Sequence, residues 1–194
     1  MNGMAWGNGA ARYVTCVSRS DIVDGWRDRR SDGGVVIGVE SGEIMAEGLS
    51  MPHSPKLHEG RLWLINSGTG EFGWIEDGAF KPLCFCPGYA RGLAIVGGKA
   101  VIGLSRTRET RTFQDLPLDA ALKAHDVEAR CGVVVVDLAT GDTTDWLRIE
   151  GVITEVFDVV HLPMIKCPMA IGLRGKEVAR MLSIEDAPLE MRPQ

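Results

Sequence analysis

The chain repeats a pattern of short apolar strands separated by glycine-containing turns, and this pattern most constrains its fold. Residues 49–105 hold one complete unit, with four strands predicted at 53–57, 61–65, 72–75 and 80–85. Gly97-Gly98 separates the next two apolar runs and suits a hairpin, because glycine reaches positive φ without steric cost. Each unit is therefore predicted to form a small antiparallel sheet.

The same unit recurs along the chain. First strands are predicted to open at 2–5, 53–56, 91–94 and 158–161, second strands at 11–18, 61–67, 99–105 and 169–175, and third strands at 35–41, 72–77 and 133–141. With 19–32 and 106–131 taken as insertions, the repeat is about 40 residues, which is typical of a β-propeller. The pattern predicts an all-β fold of β-propeller-type blades, each with four antiparallel strands. Three full blades and a partial fourth form one domain, 1–184, followed by a polar tail, 185–194.

The two insertions have different compositions. Residues 19–32 alternate in charge around Trp26, which predicts either a salt-bridged surface loop or a lid with Trp26 as its apolar contact. In the second insertion, residues 118–124 predict one short helix of about two turns. Arg106 and Arg108 precede it, and arginine suits carboxylates and phosphates, so this insertion is either a packed surface loop or an anion-recognising rim.

Composition limits the classes of partner. The net charge of −5 argues against a general nucleic-acid binder. No apolar run approaches the roughly 20 residues of a membrane helix, and the first residues lack a signal-peptide pattern. Five cysteines, an odd number, favour reduced thiols. We therefore predict a cytoplasmic protein that uses neither nucleic acid nor membrane as a partner.

Aromatic residues and thiols on the strands are predicted to be structural. Cys84 and Cys86 face the same side of a strand, which predicts buried thiols, with a metal-binding pair as the alternative. The aromatic residues predicted to pack in the core are Tyr13, Trp63, Trp74 and Trp146.

Polar residues stand where the first strands begin. In a propeller blade the first strand lines the channel, and it begins at the end that carries the loop between the second and third strands. Both insertions fall in that loop. The sequence therefore predicts a site at the channel mouth, although Arg91 and Asp158 could equally form a structural ion pair. The candidate ligand-binding residues are Asn2, Trp26, His53, Arg91, Arg106, Arg108 and Asp158.

Four segments resemble an uncharacterised bacterial family of conserved hypothetical proteins: MPHSP-x-LHEGRLWLINSGTGEFG, PGYARGLA, GLS-x-x-R-E and RCGVVVVDLATG. The resemblance covers nearly the whole chain. Family members are longer, and this chain is similar to their C-terminal portion, from a His-Leu-Asn-Gly motif retained here as Met1-Asn2-Gly3. The resemblance implies a layout similar to six-bladed propellers and no established activity.

Three and a half blades do not close a ring, and open blades expose strand edges and apolar faces. Either two chains complete a ring together, or the product is a fragment that exists only in a packed assembly. We therefore expect a homo-oligomer, specifically a dimer that completes the ring.

Three functions are compatible with this pattern. The first is a propeller that binds a small polar or anionic molecule through Asn2, His53 and Arg91. The second is a metal-assisted, lactonase-like hydrolase, by analogy with calcium-bearing six-bladed propellers. In that case Asn2, Glu155 and Asp158 would bind a divalent cation such as calcium, and His53 would be the catalytic general base. The third is a protein-interaction scaffold. The sequence contains no nucleophile elbow, HExxH motif or dinucleotide fingerprint.

Overall fold

The computed structural model describes residues 1–106 and 116–168, and their strands form three four-stranded antiparallel sheets. The first sheet contains β1 (Gly3–Gly7), β2 (Ala10–Cys16), β3 (Gly34–Gly38) and β4 (Ile44–Leu49). The second contains β5 (Pro52–His58), β6 (Arg61–Asn66), β7 (Glu71–Glu76) and β8 (Ala79–Phe85). The third contains β9 (Tyr89–Val96), β10 (Lys99–Ser105), β11 (Gly132–Asp137) and β12 (Thr143–Arg148). The predicted all-β blades are therefore confirmed.

Helices occur only in the two insertions, within the described parts of the chain. The first insertion contains a single 3-10 turn, Arg27–Arg29. The second contains α1 (Pro117–Ala124), which confirms the predicted short helix. No helix among the described residues is long and apolar enough to cross a membrane.

Tight turns join neighbouring strands within each sheet. Glu59-Gly60, Asp77-Gly78 and Gly97-Gly98 have positive φ at both residues, as two-residue type I′ hairpins require. Glycine supplies the second position each time because it carries no Cβ. The predicted sheet boundaries follow from these local turn residues.

The second sheet is packed between the other two. Leu62 and Leu64 on β6 face the first sheet, in a cluster with Ala5 and Val36. The alternate residues Trp63 and Ile65 face the third sheet. A strand that is covered on both faces is expected to be apolar throughout, and β6 has this composition.

The first strands lie side by side. β1 packs beside β5, and β5 packs beside β9. Phe72 is fully buried between the second and third sheets, where its ring stacks on Trp63 with centroids 5.4 Å apart. Tyr13 and Trp74 also pack against the clusters, as predicted. Trp146 was predicted to be core, but it is 71% exposed because β12 is the outer strand of its sheet.

The prediction of a first strand at 158–161 is wrong, since residues 151–168 contain neither helix nor strand. Their backbone instead bonds to the end of β10. Arg106 N donates to Thr154 O over 2.9 Å, and the Ser105 hydroxyl bonds to Val156 O and N over 3.2 and 3.0 Å. A side chain thus provides bonds that a neighbouring strand would otherwise make.

The chain divides into two compact units, Met1–His161 and Leu162–Gln194. The three sheets all belong to the first unit. In the second unit, the described residues 162–168 form turns and irregular backbone. The predicted strand at 169–175 and the predicted boundary between domain and tail at 184 lie outside the described residues.

Phe72→Ala should lower the free energy of unfolding by about 3–5 kcal/mol, because it removes a fully buried aromatic ring from between two sheets. Urea unfolding measures this change. The control, Trp146→Ala, removes an aromatic ring that is 71% exposed and should change stability by less than about 0.5 kcal/mol. Equal losses in both variants would contradict the described packing.

Candidate functional site

The antiparallel registers place three loops at one end of the sheets. Pro52 at the start of β5 lies opposite Asn66 at the end of β6, and Tyr89 lies opposite Ser105 in the third sheet. Asn2 N donates to Thr15 O, 2.9 Å away, which gives the first sheet the same arrangement. The β2–β3, β6–β7 and β10–β11 loops therefore leave from the end where the first strands begin. We name this the loop end.

The two insertions meet at the loop end. Leu118 and Leu122 of α1 are buried in a cluster with Met51 and Tyr89. Trp26 of the first insertion packs against the same cluster. Leu118 N also donates to Gly68 O of the β6–β7 loop over 2.8 Å. Trp26 thus serves as a packing residue, and its predicted contact with a ligand stays a prediction.

Two first strands carry a bulge immediately after a candidate residue. In β5 the register shifts between His53 and Lys56, and Ser54 has φ 52°. In β9 the register shifts beside Arg91, and Gly92 has φ 71°. A bulge changes the direction of the neighbouring side chain, and in both strands it directly follows a paired residue, His53 or Arg91.

The residues beside these bulges lie close together, each next to the corresponding residue of the following first strand. A Cβ on Gly3 would lie 3.1 Å from Ser54 N. Ser54 Oγ accepts a hydrogen bond from Gly92 N over 3.0 Å. A Cβ on Gly92 would collide with the backbone of Asp158 and Val159. The structure therefore brings the starts of the three first strands and residues 158–159 together, although 158–159 are not in a strand.

His53 is largely buried between two groups that act oppositely on its pKa. Burial and the positive charge of Arg91 lower the pKa of His53 to about 4, while a hydrogen bond to the Asn2 backbone raises it. A backbone group that favours the protonated ring must accept its proton, so one ring nitrogen donates to the Asn2 carbonyl. The imidazole is neutral at pH 7, and its other nitrogen is a hydrogen-bond acceptor.

Asn2 has one satisfied and one unsatisfied amide atom. Its Nδ2 donates to Pro52 O over 2.7 Å. Its Oδ1 is buried with no hydrogen-bond partner among the described residues, and the Thr15 hydroxyl is in the same condition. A buried acceptor that lacks a donor costs about 1–3 kcal/mol. Asn2 Oδ1 is therefore ready to accept from a bound donor.

Arg91 lies against an aromatic ring. Its guanidinium carbon is 5.8 Å from the ring centroid of Phe157, whose side chain is 65% exposed. Asp158 is exposed, and its Oδ1 accepts from the Val159 backbone N–H over 2.8 Å. Glu155 is half-buried in the same segment. Arg91 and Phe157 thus offer a cation and an adjacent apolar surface.

The predicted metal ligands are Asn2, Glu155 and Asp158. Among the described residues, no group of three or more His, Cys, Asp or Glu side chains could hold a metal ion. One carboxylate oxygen of Asp158 accepts from the Val159 backbone N–H. The ligand set of Asn2, Glu155 and Asp158 stays a prediction.

A cleft of about 1400 Å³ opens beside α1. Arg106 lines it, and Arg106 N anchors the segment at Thr154. Arg108 lies outside the described residues. The other charged residues that line the cleft are Asp119, Lys123, Asp126, Glu128, Arg130 and Arg148.

Sequence patterns missed several residues at the loop end. The sequence did not indicate a special role for Ser54, because serine is not a residue type that predicts positive φ. Gly92 interrupts a strand pattern, which is a recognised sign of a bulge or close approach. Arg148 reaches the cleft from β12 by tertiary folding. Tyr89 is buried beneath the insertions, and burial together with the charge of Asp119 raises the pKa of Tyr89 to about 12.

Cys84 and Cys86 pack at the core. All five are free thiols. Cys86 is buried in the core between the second and third sheets, and Cys84 packs against it. Their mutual hydrogen bond lowers the pKa of Cys84, and the same bond and burial raise the pKa of Cys86.

Residues 1–171 match the model of a domain of unknown function, DUF4915. The chain belongs to this family. No match was found among curated proteins. The description of DUF4915 names no activity, so the loop-end geometry carries the functional proposal.

The pKa of His53 predicts a pH dependence of stability. Between pH 6.5 and about 4, His53 is protonated in the unfolded chain but neutral in the folded chain. The free energy of unfolding therefore falls as the pH falls through this window. The shift corresponds to about 3 kcal/mol, fully present above pH 6.5 and lost below about pH 4.

Urea unfolding at a series of pH values measures this dependence, and NMR titration gives the pKa of His53 directly. His53→Gln should flatten the curve in that window relative to the unsubstituted chain. His58→Gln, at the other end of β5, is the matched control and should retain the dependence. A His53 pKa near 6.5 would contradict the described burial.

Proposed function

We propose that this chain binds a small anionic ligand at the loop end, with Arg91 as the residue that holds the negative charge. The main observation behind this proposal is that the positive charge of Arg91 helps to lower the pKa of His53, which is neutral and largely buried. Arg91 therefore contributes the cation of a partly desolvated cluster. Guanidinium groups bind carboxylates and phosphates through paired N–H donors.

The groups around Arg91 are mostly uncharged or screened by water. His53 and Asn2 are uncharged, Asp158 is exposed to water, which screens its charge, and Glu155 is half-buried. Phe157 provides an apolar surface against the guanidinium. Desolvation near His53 strengthens the interaction of Arg91 with an incoming anion.

The insertions contribute a second basic surface. Arg106 and Arg130 line the cleft beside α1 at the same loop end. Acidic residues such as Asp119 and Asp126 also line it, so the cleft is mixed in charge. We infer that the cleft serves as an approach for polar ligands and that Arg91 is the binding residue.

Anion binding at Arg91 predicts that substitution of this residue weakens the affinity for anions. Succinate and inorganic phosphate, titrated separately by calorimetry, should bind the unsubstituted chain, and Arg91→Gln should weaken the binding at least tenfold, since a charge-assisted hydrogen bond is removed. Arg12→Gln is the matched control because Arg12 is exposed, pairs with Glu40 and lies away from the loop end.

Equal affinities in Arg91→Gln and the unsubstituted chain would contradict the placement at Arg91. Loss of binding in Arg106→Gln alone would move the ligand into the cleft. A calcium-dependent rise in melting temperature that Asp158→Ala abolishes would instead favour the metal-assisted hydrolase. If the chain binds neither anion and calcium leaves its melting temperature unchanged, the interaction scaffold would be favoured.

We also infer that two copies pack together through apolar sheet faces, as expected for a six-bladed ring. Val134 and Val136 of β11 face the core with the second sheet, so Val133 and Val135 point to the opposite face. Leu147 on β12 lies opposite Val133 and is 60% exposed. Val133, Val135 and Leu147 form the apolar part of this face, and Asp145 lies opposite Val135.

Light scattering should give twice the 21.0 kDa mass of one chain. Val135→Lys should shift the protein toward monomer because it places a charge on the apolar face. Thr144→Lys, on the exposed outer strand, should leave the dimer intact. A monodisperse monomer at tens of micromolar would overturn this inference.

A further inference from the structure

We propose a separate ligand site beside β12 that binds a nucleotide, a ligand in which an aromatic base is joined to phosphate groups. This inference goes beyond anion binding at Arg91 and does not depend on it. Arg106 and Arg130 would hold the phosphates, and Trp146 would stack on the base. The main observation is that the cleft beside α1 and a smaller cavity at Trp146 share two lining residues, Arg130 and Arg148.

The smaller cavity is a hollow of about 190 Å³ next to the outer strand β12. Leu104 and Arg148 both pair with Gly132, which lies between them in the sheet. Trp146 lies two residues before Arg148, so the two side chains are on the same face. A Cβ on Gly132 would collide with the Leu147 carbonyl, so only glycine fits there. The middle of this row therefore carries no side chain, and the cavity opens there.

Trp146 provides an aromatic surface at this cavity. Its side chain lines the cavity and is still 71% exposed. Unlike Trp63 and Trp74, it stacks on no other aromatic ring among the described residues. Exposure of a large indole to water is unfavourable, and exposed aromatic side chains stack readily on the bases of nucleic acids. The Trp146 ring is therefore free to stack on a base.

Arg106 and Arg130 stand at neighbouring strand ends in the third sheet. The pairing of β10 with β11 ends two residues before Arg106 and two residues after Arg130. A Cβ on Gly88 would lie 2.9 Å from Ser105 O and 3.0 Å from Arg130 O, so the two chain segments are close together. Both arginines line the cleft beside α1. One ligand in the cleft can therefore meet both residues.

Neither of these guanidinium groups has an ionic partner in the described parts of the chain. Arg148 differs, since its Nε lies 3.0 Å from Glu150 Oε1. Two like charges in one cleft favour a multiply charged anion, and arginine binds phosphate oxygens through paired N–H donors. Carboxylates on α1 and the segment after it also line the cleft, namely Asp119, Asp126 and Glu128. They would repel phosphates and so confine them to the neighbourhood of the arginines.

The two cavities together select a ligand with two different ends. The cleft of about 1400 Å³ has room for a phosphate chain, and the lining of the adjoining hollow is mostly apolar. An inorganic anion would pair with the arginines and leave Trp146 exposed. A nucleoside would cover Trp146 and leave the arginines without a counter-charge. A nucleoside diphosphate satisfies both requirements.

ADP, pyrophosphate and adenosine separate the contributions of base and phosphates. Calorimetry in the presence of EDTA gives the affinity of the chain for each probe, and the NMR signal of the Trp146 indole N–H reports contact with the base. ADP should bind about tenfold more tightly than pyrophosphate, because only ADP stacks on Trp146. Adenosine should bind at least about tenfold more weakly than ADP, because it lacks the phosphates.

Two variants test the two ends of the site. Arg130→Gln should weaken ADP binding about tenfold, since it removes charge-assisted hydrogen bonds. Trp146→Ala should bring the ratio of ADP to pyrophosphate affinity close to one. Trp6→Ala and Arg12→Gln, both in the first sheet, are the matched controls and should leave ADP affinity unchanged. All four side chains are exposed, so the variants should fold.

The outcomes distinguish this inference from anion binding at Arg91. Equal ADP affinity in Arg130→Gln and the unsubstituted chain would overturn the placement in the cleft. ADP binding that Arg91→Gln abolishes and Arg130→Gln retains would overturn the separate site and support the site at Arg91. Equal affinities for ADP and pyrophosphate would overturn the role of the base. Absence of ADP binding would overturn the whole inference, and anion binding at Arg91 would still rest on its own test.

Discussion

Packing of the second sheet between its two neighbours is the constraint on which the rest of the molecule depends. Leu62 and Leu64 cover one face of β6, and Trp63 and Ile65 cover the other. This two-sided burial removes apolar area from water on both faces, so it stabilises the sheets in fixed order. It also brings β1, β5 and β9 side by side, so every close contact at the loop end depends on it.

The loop end combines strong packing with unsatisfied polar groups. Gly3, Ser54 and Gly92 pack so closely that added side-chain atoms at either glycine would collide with neighbouring residues. Beside them, Asn2 Oδ1 is buried without a partner in the part of the chain that the structure describes, and His53 is neutral. A buried polar atom without a partner costs stability, and this cost is one reason why we propose binding at the loop end.

The sequence predicted the sheets well, and some placements of single residues less well. Hairpins such as Asp77-Gly78 and the helix at Pro117–Ala124 follow from local residue preferences, so they could be predicted without the fold. Residues 158–161 have the composition of a strand but form none, and Thr154 and Val156 just before them bond to Arg106 and Ser105. No local pattern indicates that choice. Trp146 has the composition of a core residue, yet its exposure depends on β12 being the outer strand.

The sequence by itself determined the repeating strands, their turns and the loops that carry the insertions, because these depend on residues a few positions apart. Tertiary structure alone decided that Ser54 bonds to Gly92, 38 residues away, and that Asn2 bonds to Pro52, 50 residues away. It also decided the protonation of His53, since burial and the charge of Arg91 act through space. Chemistry at the loop end thus arises from distances that local sequence does not encode.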